Sequence, residues 1–268
     1  MISHLTASIG LAQADAVFSQ GVENFRAGKF EDAKKAFLTL HNQFPEHEDI
    51  LLNLGLIAFK EKRIGAAIGI WRKGLVKDSS NESLFRAVSF ARTKLEKQDV
   101  PREFGAWERY REAVIGRISL PLVVGISGIL LFSTGWLWLR WLGRRKRAFE
   151  EEAATPQAPI PALLTTLLFV SVIGIIASIF IDRSELRGTV LSAKVSVLSA
   201  PQLEATALFD LFEGLEVIIQ ETRTVDNKTW RRITFPGGLS GWVPSTSIFA
   251  TSDPVDRAFG PITEKANP

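Results

Sequence analysis

The sequence predicts a multi-domain chain in three parts: an all-α repeat stack, a two-helix transmembrane hairpin and an all-β module. Three observations predict it. Residues recur every 34 positions in the first third, two uncharged apolar blocks of 22 residues fill the middle, and short β-branched and aromatic runs follow Gly188. The 268 residues include 32 basic and 29 acidic side chains, a net charge of +3 that gives no reason to expect nucleic acid as a partner. The absence of Cys excludes a disulfide framework, a thiolate-held zinc or iron–sulfur site and a thiol nucleophile.

Residues 1–14 contain the Ala12-Gln13-Ala14 triplet, a small-x-small pattern that signal peptidase accepts, and read as a partial signal peptide. No Lys or Arg precedes Arg26, so the expectation is a signal whose basic upstream part is missing; the plainer reading is the lead-in to a helix.

Residues 15–98 hold the repeats. Gly21 recurs as Gly55, Phe25 as Phe59, Phe30 as Ile64, Ala33 as Ala67 and Phe37 as Trp71, each 34 residues on. This is tetratricopeptide spacing, in which small residues let antiparallel helices approach and bulky ones fill the space between repeats. Two repeats are expected, each a helix pair, turning at Gly28-Lys29 and Lys62-Arg63, with Pro45 closing the first and Ser79 its counterpart. Ser80-Asn81-Glu82 opens a capping helix to about Lys97, whose Leu84, Phe85, Val88 and Leu95 cover the end of the second repeat. Such a stack can hold a peptide or partner helix in a groove, for which Arg26, Asn53 and Lys60 are the candidate contacts; otherwise they are ordinary parts of the stack. Phe18, Val22, Ser83 and Ala87 stand where a carboxylate clamp would place Lys, Asn or Arg, so capture of a C-terminal carboxylate is not expected.

Residues 99–117 are charged and helix-prone, a linker helix with Trp107 and Tyr110 expected at a membrane surface. Ile118–Leu139 and Ile160–Ile181 then run without a charge. Each makes a helix of about 33 Å, enough for a hydrocarbon core of about 30 Å. The spans are set at 118–142 and 160–181, with a loop at 143–159. Neither has the polar stripe of a buried core helix. Trp136, Trp138 and Trp141 gather at one end, as indoles do at the interface. Arg140, Arg144, Arg145, Lys146 and Arg147 resist translocation and determine the topology: the loop is cytoplasmic, and residues 1–117 and 182–268 are extracytoplasmic. A nucleic-acid reading of that basic run is the weaker alternative beside an apolar block. Gly128, Gly135, Ser171, Gly174 and Ser178 suit close packing, by default within the hairpin.

From residue 188 to 252 the pattern is that of strands and turns. Val190–Leu198 alternates, with Val195 and Val197 on one face; Ala207-Leu208-Phe209, Leu215–Ile219, Trp230–Ile233, Gly241–Pro244 and Ser247–Phe249 follow, with a hairpin at Asp226-Asn227-Lys228. This order resembles the bacterial SH3 family, and the resemblance implies an SH3-like barrel. Gly241 would allow close backbone approach and Trp242 would pack the barrel. Trp230, Phe235, Phe249 and Trp242 are candidate groove residues for a peptide or glycan, or core. Residues 253–268 read as a flexible tail.

No catalytic, cofactor or metal site is expected. His41 and His47 flank Pro45 in what reads as an exposed turn, His4 stands apart, and the apolar blocks Ile118–Leu139 and Ile160–Ile181 hold no ionisable residue of the kind that marks a transport pathway. Glu150–Glu152 read as a solvated face.

The order of repeats, hairpin and SH3 module resembles the BatE-type proteins of bacterial aerotolerance operons, from Phe18 to Phe249. It rests on Gly21, Ala33, Gly55 and Ala67, the hairpin, and the runs LFDLFEGLEVII and GWVP. The resemblance implies membrane-anchored von Willebrand A-domain proteins and a MoxR-type ATPase as partners, with a role in envelope integrity or stress tolerance. The expectation is therefore a two-pass bacterial inner-membrane scaffold, not an enzyme, with both modules periplasmic. The alternative is an envelope protein gripping peptidoglycan through the SH3-like module.

Overall fold

The structure, a computed structural model, describes residues 2–45, 47–95, 110, 115, 118–235 and 238–260; for residues 2–12 and 183 only the backbone is described. The described residues form seven α-helices and a seven-stranded antiparallel sheet. They divide into two compact units, Met1–Glu108 with Glu185–Pro268, and Arg109–Ser184.

In the first unit the 34-residue recurrence is geometric as well as chemical. Helices α1 (Ile2–Arg26) and α3 (Glu48–Lys60) end at the same register, and α2 (Phe30–Gln43) and α4 (Ile64–Lys77) match at both ends. Helix α5 (Glu82–Arg92) starts where a third repeat would. Both turns use a left-handed residue, Gly28 with φ 75° and Lys62 with φ 64°. The same backbone bonds close them: Lys29 N–H donates to Asn24 O and Arg63 N–H to Ala58 O, both 2.9 Å, the six-to-one bond of a Schellman end. The repeated glycines serve close approach. A Cβ on Gly21 would lie 2.9 Å from the Phe37 ring, and one on Gly55 would collide with the Trp71 indole. That indole donates to Leu52 O at 3.0 Å.

Asn81 caps α5 as expected, its Oδ1 accepting from Leu84 N–H at 3.0 Å. Leu84 and Val88 are buried beneath it, whereas Phe85 stays exposed. Helix α5 ends at Arg92; Lys97, Trp107 and most of the 99–117 linker lie outside the described residues. Helix α1 runs back without a break through the segment read as a partial signal.

The sheet comprises β1 (Arg187–Val190), β2 (Lys194–Leu198), β3 (Ala207–Phe212), β4 (Glu216–Val225), β5 (Lys228–Phe235), β6 (Leu239–Pro244) and β7 (Ile248–Ala250), in the order β3-β2-β6-β5-β4-β1-β7. The expected barrel is not closed: β3 and β7 are edges that do not pair with each other. The single strand expected over Val190–Leu198 is two. The chain bends after Val190: β1 pairs with β4 and β7 and is buried along its whole length, whereas β2 pairs with β3 and β6 and is exposed at its start. The β4–β5 hairpin turns on Asp226 and Asn227, φ 48° and 60°, the two left-handed positions of a type I′ turn. A bend in β4 between Ile219 and Glu221 shifts its register against β5. One face of the sheet gathers Val197, Leu211, Val217, Ile233, Val243 and Ile248 into a core, and Trp230 and Trp242 pack with Leu198 in a second cluster.

The tail expectation fails for residues 253–260. They form a 3-10 helix, Val255–Phe259, with Val255 and Ala258 buried, and Asp253 is buried as well. The apolar spacing of Val255, Ala258 and Phe259 brings this segment onto the helices. Residues 261–268 lie outside the described residues.

The second unit contains α6 (Leu120–Glu150) and α7 (Ile160–Ser184), both long and apolar enough to cross a membrane. Only 11% and 6% of their apolar windows are buried, unlike the core helices of a soluble domain. Helix α6 passes the expected end of the span at 142 and carries the basic run as helix to Glu150, aided by a Lys146–Glu150 pair one turn apart at 3.7 Å. The expected 143–159 loop is thus shortened to residues 151–159. Tryptophans, not glycines, pin the hairpin: Trp138 Nε1 donates to Thr166 Oγ1 at 3.0 Å, and Trp141 Nε1 to Gln157 O at 3.1 Å. Packing through the small positions is not what occurs. A Cβ on Gly128, Gly135 or Gly174 would meet nothing within 4 Å, and the Ser171 and Ser178 hydroxyls bond to carbonyls of their own helix.

Candidate functional site: the seam between α4 and the sheet

Helix α4 is buried almost all round, with nine of its fourteen residues inside, against four in its repeat counterpart α2. The difference lies at matched positions. Glu31, Lys34 and Lys35 of α2 become Gly65, Ile68 and Gly69 in α4. Those two glycines remove the side chains that would hold the sheet away. A Cβ on Gly65 would run into the Val190 carbonyl and lie 2.7 Å from Glu213 Cγ; one on Gly69 would lie 2.8 Å from the Phe249 ring. The alternation of β7 sends Ile248 and Ala250 into the sheet core and Phe249 into the helical core, together with Leu191, Val255 and Ala258. Stack and sheet therefore share one hydrophobic core.

Polar groups close the seam. Arg72 Nη1 donates to Thr189 Oγ1 at 2.8 Å and Gly214 O at 3.3 Å, and its Nη2 lies 3.8 Å from Glu216. Lys73 donates to Thr251 O and Asp253 O, both at 2.8 Å. Arg63 reaches Phe259 O at 2.8 Å and Gly260 O at 2.5 Å, and Lys34 sits 5.2 Å over the Phe259 ring. Glu213 accepts from Gly65 N–H at 2.6 Å, placing a carboxylate at the positive end of α4. Burial pushes the Glu213 carboxyl above its ordinary range, although the Gly65 and Ile64 N–H groups and the charge of Arg63 pull the other way. Below α4, Arg231 holds Asp253 through two bonds of 2.9 and 2.7 Å, and Arg257 adds a third at 3.1 Å. Burial raises the Asp253 carboxyl, but the bonds from Arg231 and Ala250 N–H and the charges of Arg231 and Arg257 outweigh it, leaving it below the usual value.

No family model and no curated protein matches the chain.

The residues singled out in the sequence lie elsewhere. Arg26 and Lys60 close α1 and α3 at matched positions and are exposed. Asn53 is half-buried, and its Nδ2 donates to Asp49 O at 2.7 Å, one turn back in the same helix. Trp230, Phe235 and Trp242 are all buried in the sheet; Arg223 lies 5.3 Å over the Trp242 ring. His41 is not in an exposed turn: it is buried in α2, its Nδ1 without a hydrogen bond among the described residues, and burial together with Lys73 lowers its pKa against an opposing pull from Asp256. A shallow depression of about 570 Å³ has Gln43, Phe44, Pro45, His47, Glu48 and Lys77 among its lining residues. Among the described residues no three His, Asp or Glu side chains gather as a metal site would need. The basic residues Arg140, Arg144, Arg145 and Arg147 project from the last turns of α6, all exposed.

The chemistry of the seam is recognition completed within the chain. Its cations are used on backbone carbonyls, carboxylates and the Phe259 ring, and so fix the stack to the sheet. The signal for it in the sequence was the loss of charge between repeats, from Glu31 and Lys35 to Gly65 and Gly69.

Proposed function

We propose that this chain is a two-pass membrane scaffold, not an enzyme, whose repeat stack and SH3-like sheet act as one rigid extracytoplasmic body. The observation that carries this reading is the core shared by segments on either side of the apolar hairpin. Two segments packed into one core occupy one side of a bilayer, which requires an even number of crossings between them, and α6 and α7 supply two. The basic run on the hairpin supports a cytoplasmic loop and a body on the periplasmic side. Rigid coupling sets the distance and angle between surfaces of the tetratricopeptide-like stack and the sheet, so partners are gathered in fixed geometry. The resemblance to BatE-type proteins suggests membrane-anchored von Willebrand A-domain proteins and a MoxR-type ATPase system as those partners.

The test uses single introduced thiols, since the chain has no cysteine. Ser80→Cys and Ser199→Cys, both at exposed positions, are expected to react with an impermeant maleimide in cells with a permeabilised outer layer, and Ala154→Cys only after lysis. Labelling of Ala154→Cys from outside overturns the topology. Retention on isolated sacculi, with no retention of von Willebrand A-domain membrane proteins, replaces the scaffold reading with peptidoglycan binding.

A further inference from the structure

We propose that Arg140, Arg144 and Arg147 form a binding stripe for the phosphate groups of anionic phospholipids at the inner end of α6. The inference rests on the membrane-spanning reading above and adds a ligand to it. Helix α6 has 31 residues. At about 1.5 Å per residue it is roughly 46 Å long, which exceeds the hydrocarbon core of about 30 Å by several turns. The basic residues lie in that excess, held on helix rather than on a loop.

The three arginines stand at i, i+4 and i+7, which puts them on one helix face within about 60° of each other. All three are exposed, and none has an ion pair among the described residues. The other two cations of the run are engaged elsewhere: Arg145 lies 5.5 Å over the Trp141 ring, and Lys146 pairs with Glu150. The indoles lie round the helix from the stripe, Trp138 about 160° and Trp141 about 100° from Arg140. Trp138 and Trp141 bond to Thr166 and Gln157 O across the hairpin, which leaves the arginine face turned away from α7. The stripe extends about 10 Å along the axis, comparable with the depth of the headgroup layer that flanks the core. Arginine suits this ligand because its planar fork donates two parallel bonds to a phosphate, where an ammonium offers a point charge. A soluble anion would need no apolar helix leading into its site, so the lipid headgroup is the source the position favours.

The experiment uses the full chain, in vesicles and in neutral detergent. Retention in phosphatidylcholine vesicles through alkaline extraction tests the spanning reading; its failure removes that reading and this inference together. Native mass spectrometry then titrates phosphatidylglycerol against phosphatidylcholine. Phosphatidylglycerol is expected to be retained in clear preference, falling on the order of 100-fold in Arg140→Gln/Arg144→Gln/Arg147→Gln, since each basic residue near an anionic surface contributes about fivefold. Arg144→Gln alone keeps most of the insertion signal and is expected to lose about fivefold. Lys35→Gln/Lys228→Gln/Arg232→Gln, an equal charge change at exposed sites outside α6, is expected to retain the lipid. A protein that resists extraction but binds both lipids alike, or whose stripe variants bind like the parent, overturns the inference alone. Displacement of phosphatidylglycerol by inorganic phosphate at constant ionic strength assigns the stripe to a soluble anion and overturns it as well.

Discussion

Replacing Gly65 by Ala tests the shared core, because the two forces acting there have opposite signs. In an isolated helix the change stabilises by about 1 kcal/mol, since Ala is the better helix former. At the seam the new methyl meets the Val190 carbonyl and Glu213 Cγ, and a backbone carbonyl cannot rotate aside. Overpacking of this kind costs about 1–3 kcal/mol. If the sheet backs away, the 2.6 Å bond from Gly65 N–H to Glu213 lengthens. A hydrogen bond to a charged group contributes about 1.5–3 kcal/mol. The helix gain offsets part of this, leaving a net destabilisation of about 1.5–5 kcal/mol. Hydrogen exchange resolved by peptide reads the effect directly. Amides of α4 and of β1 and β7 are expected to exchange about 10- to 4,000-fold faster together, at about 1.4 kcal/mol per factor of ten. A stabilised or unchanged Gly65→Ala, or faster exchange in the sheet with α4 untouched, would refute the claim that the two modules share one core.

Three further outcomes are expected. Asp253→Asn leaves the buried Arg231 unpaired and should destabilise by about 3–5 kcal/mol in urea unfolding. Because the folded carboxyl lies below 3.8, the stability it confers is present above that pH and is lost as pH falls through the folded value; a flat acid limb in the wild type relative to Asp253→Asn would contradict this. His41 has a folded pKa below 6.5, so its contribution is held above pH 6.5 and declines as pH falls through the folded value. The wild type should thus lose more stability between pH 7.5 and 5.5 than His41→Leu, and equal losses would remove His41 from the account. Asn81→Ala should cost about 1 kcal/mol as a lost cap, with faster exchange concentrated at the start of α5.

The repeats were legible because their chemistry is local. Gly21 with Phe37 and Gly55 with Trp71 lie within one helix pair, and the pattern returns at a fixed interval that puts both turns and both helix ends in register. The apolar helices were legible from composition, though not the end of α6: charged residues ended the apolar run without ending the helix. Sheet closure and the seam were not legible, since each depends on partners far along the chain. Gly65 and Gly69 have no partner within their own helix pair and find one only when Val190 and Phe249 arrive, and Val255 with Phe259 read as tail until α4 offers them a surface. Trp230, Phe235 and Trp242 could be read as groove or core, and their burial depends on how the sheet curls, which strand patterning alone leaves open.

The contact of Arg63 with Gly260 spans 197 positions. At about 5–20 residues per second, a ribosome needs roughly 10–40 s to travel that distance. During that interval α4 has been made, with Ile68 and the glycine surface beside it, while the sheet that covers them is unfinished and the hairpin has still to enter the bilayer. On the two-pass reading proposed above, the stack waits with an unfinished face until the hairpin has inserted and the sheet has been made. Slowing insertion should lengthen that exposure and favour aggregation or proteolysis of the nascent repeats, making biogenesis, rather than the finished fold, the step at which this architecture is most easily lost.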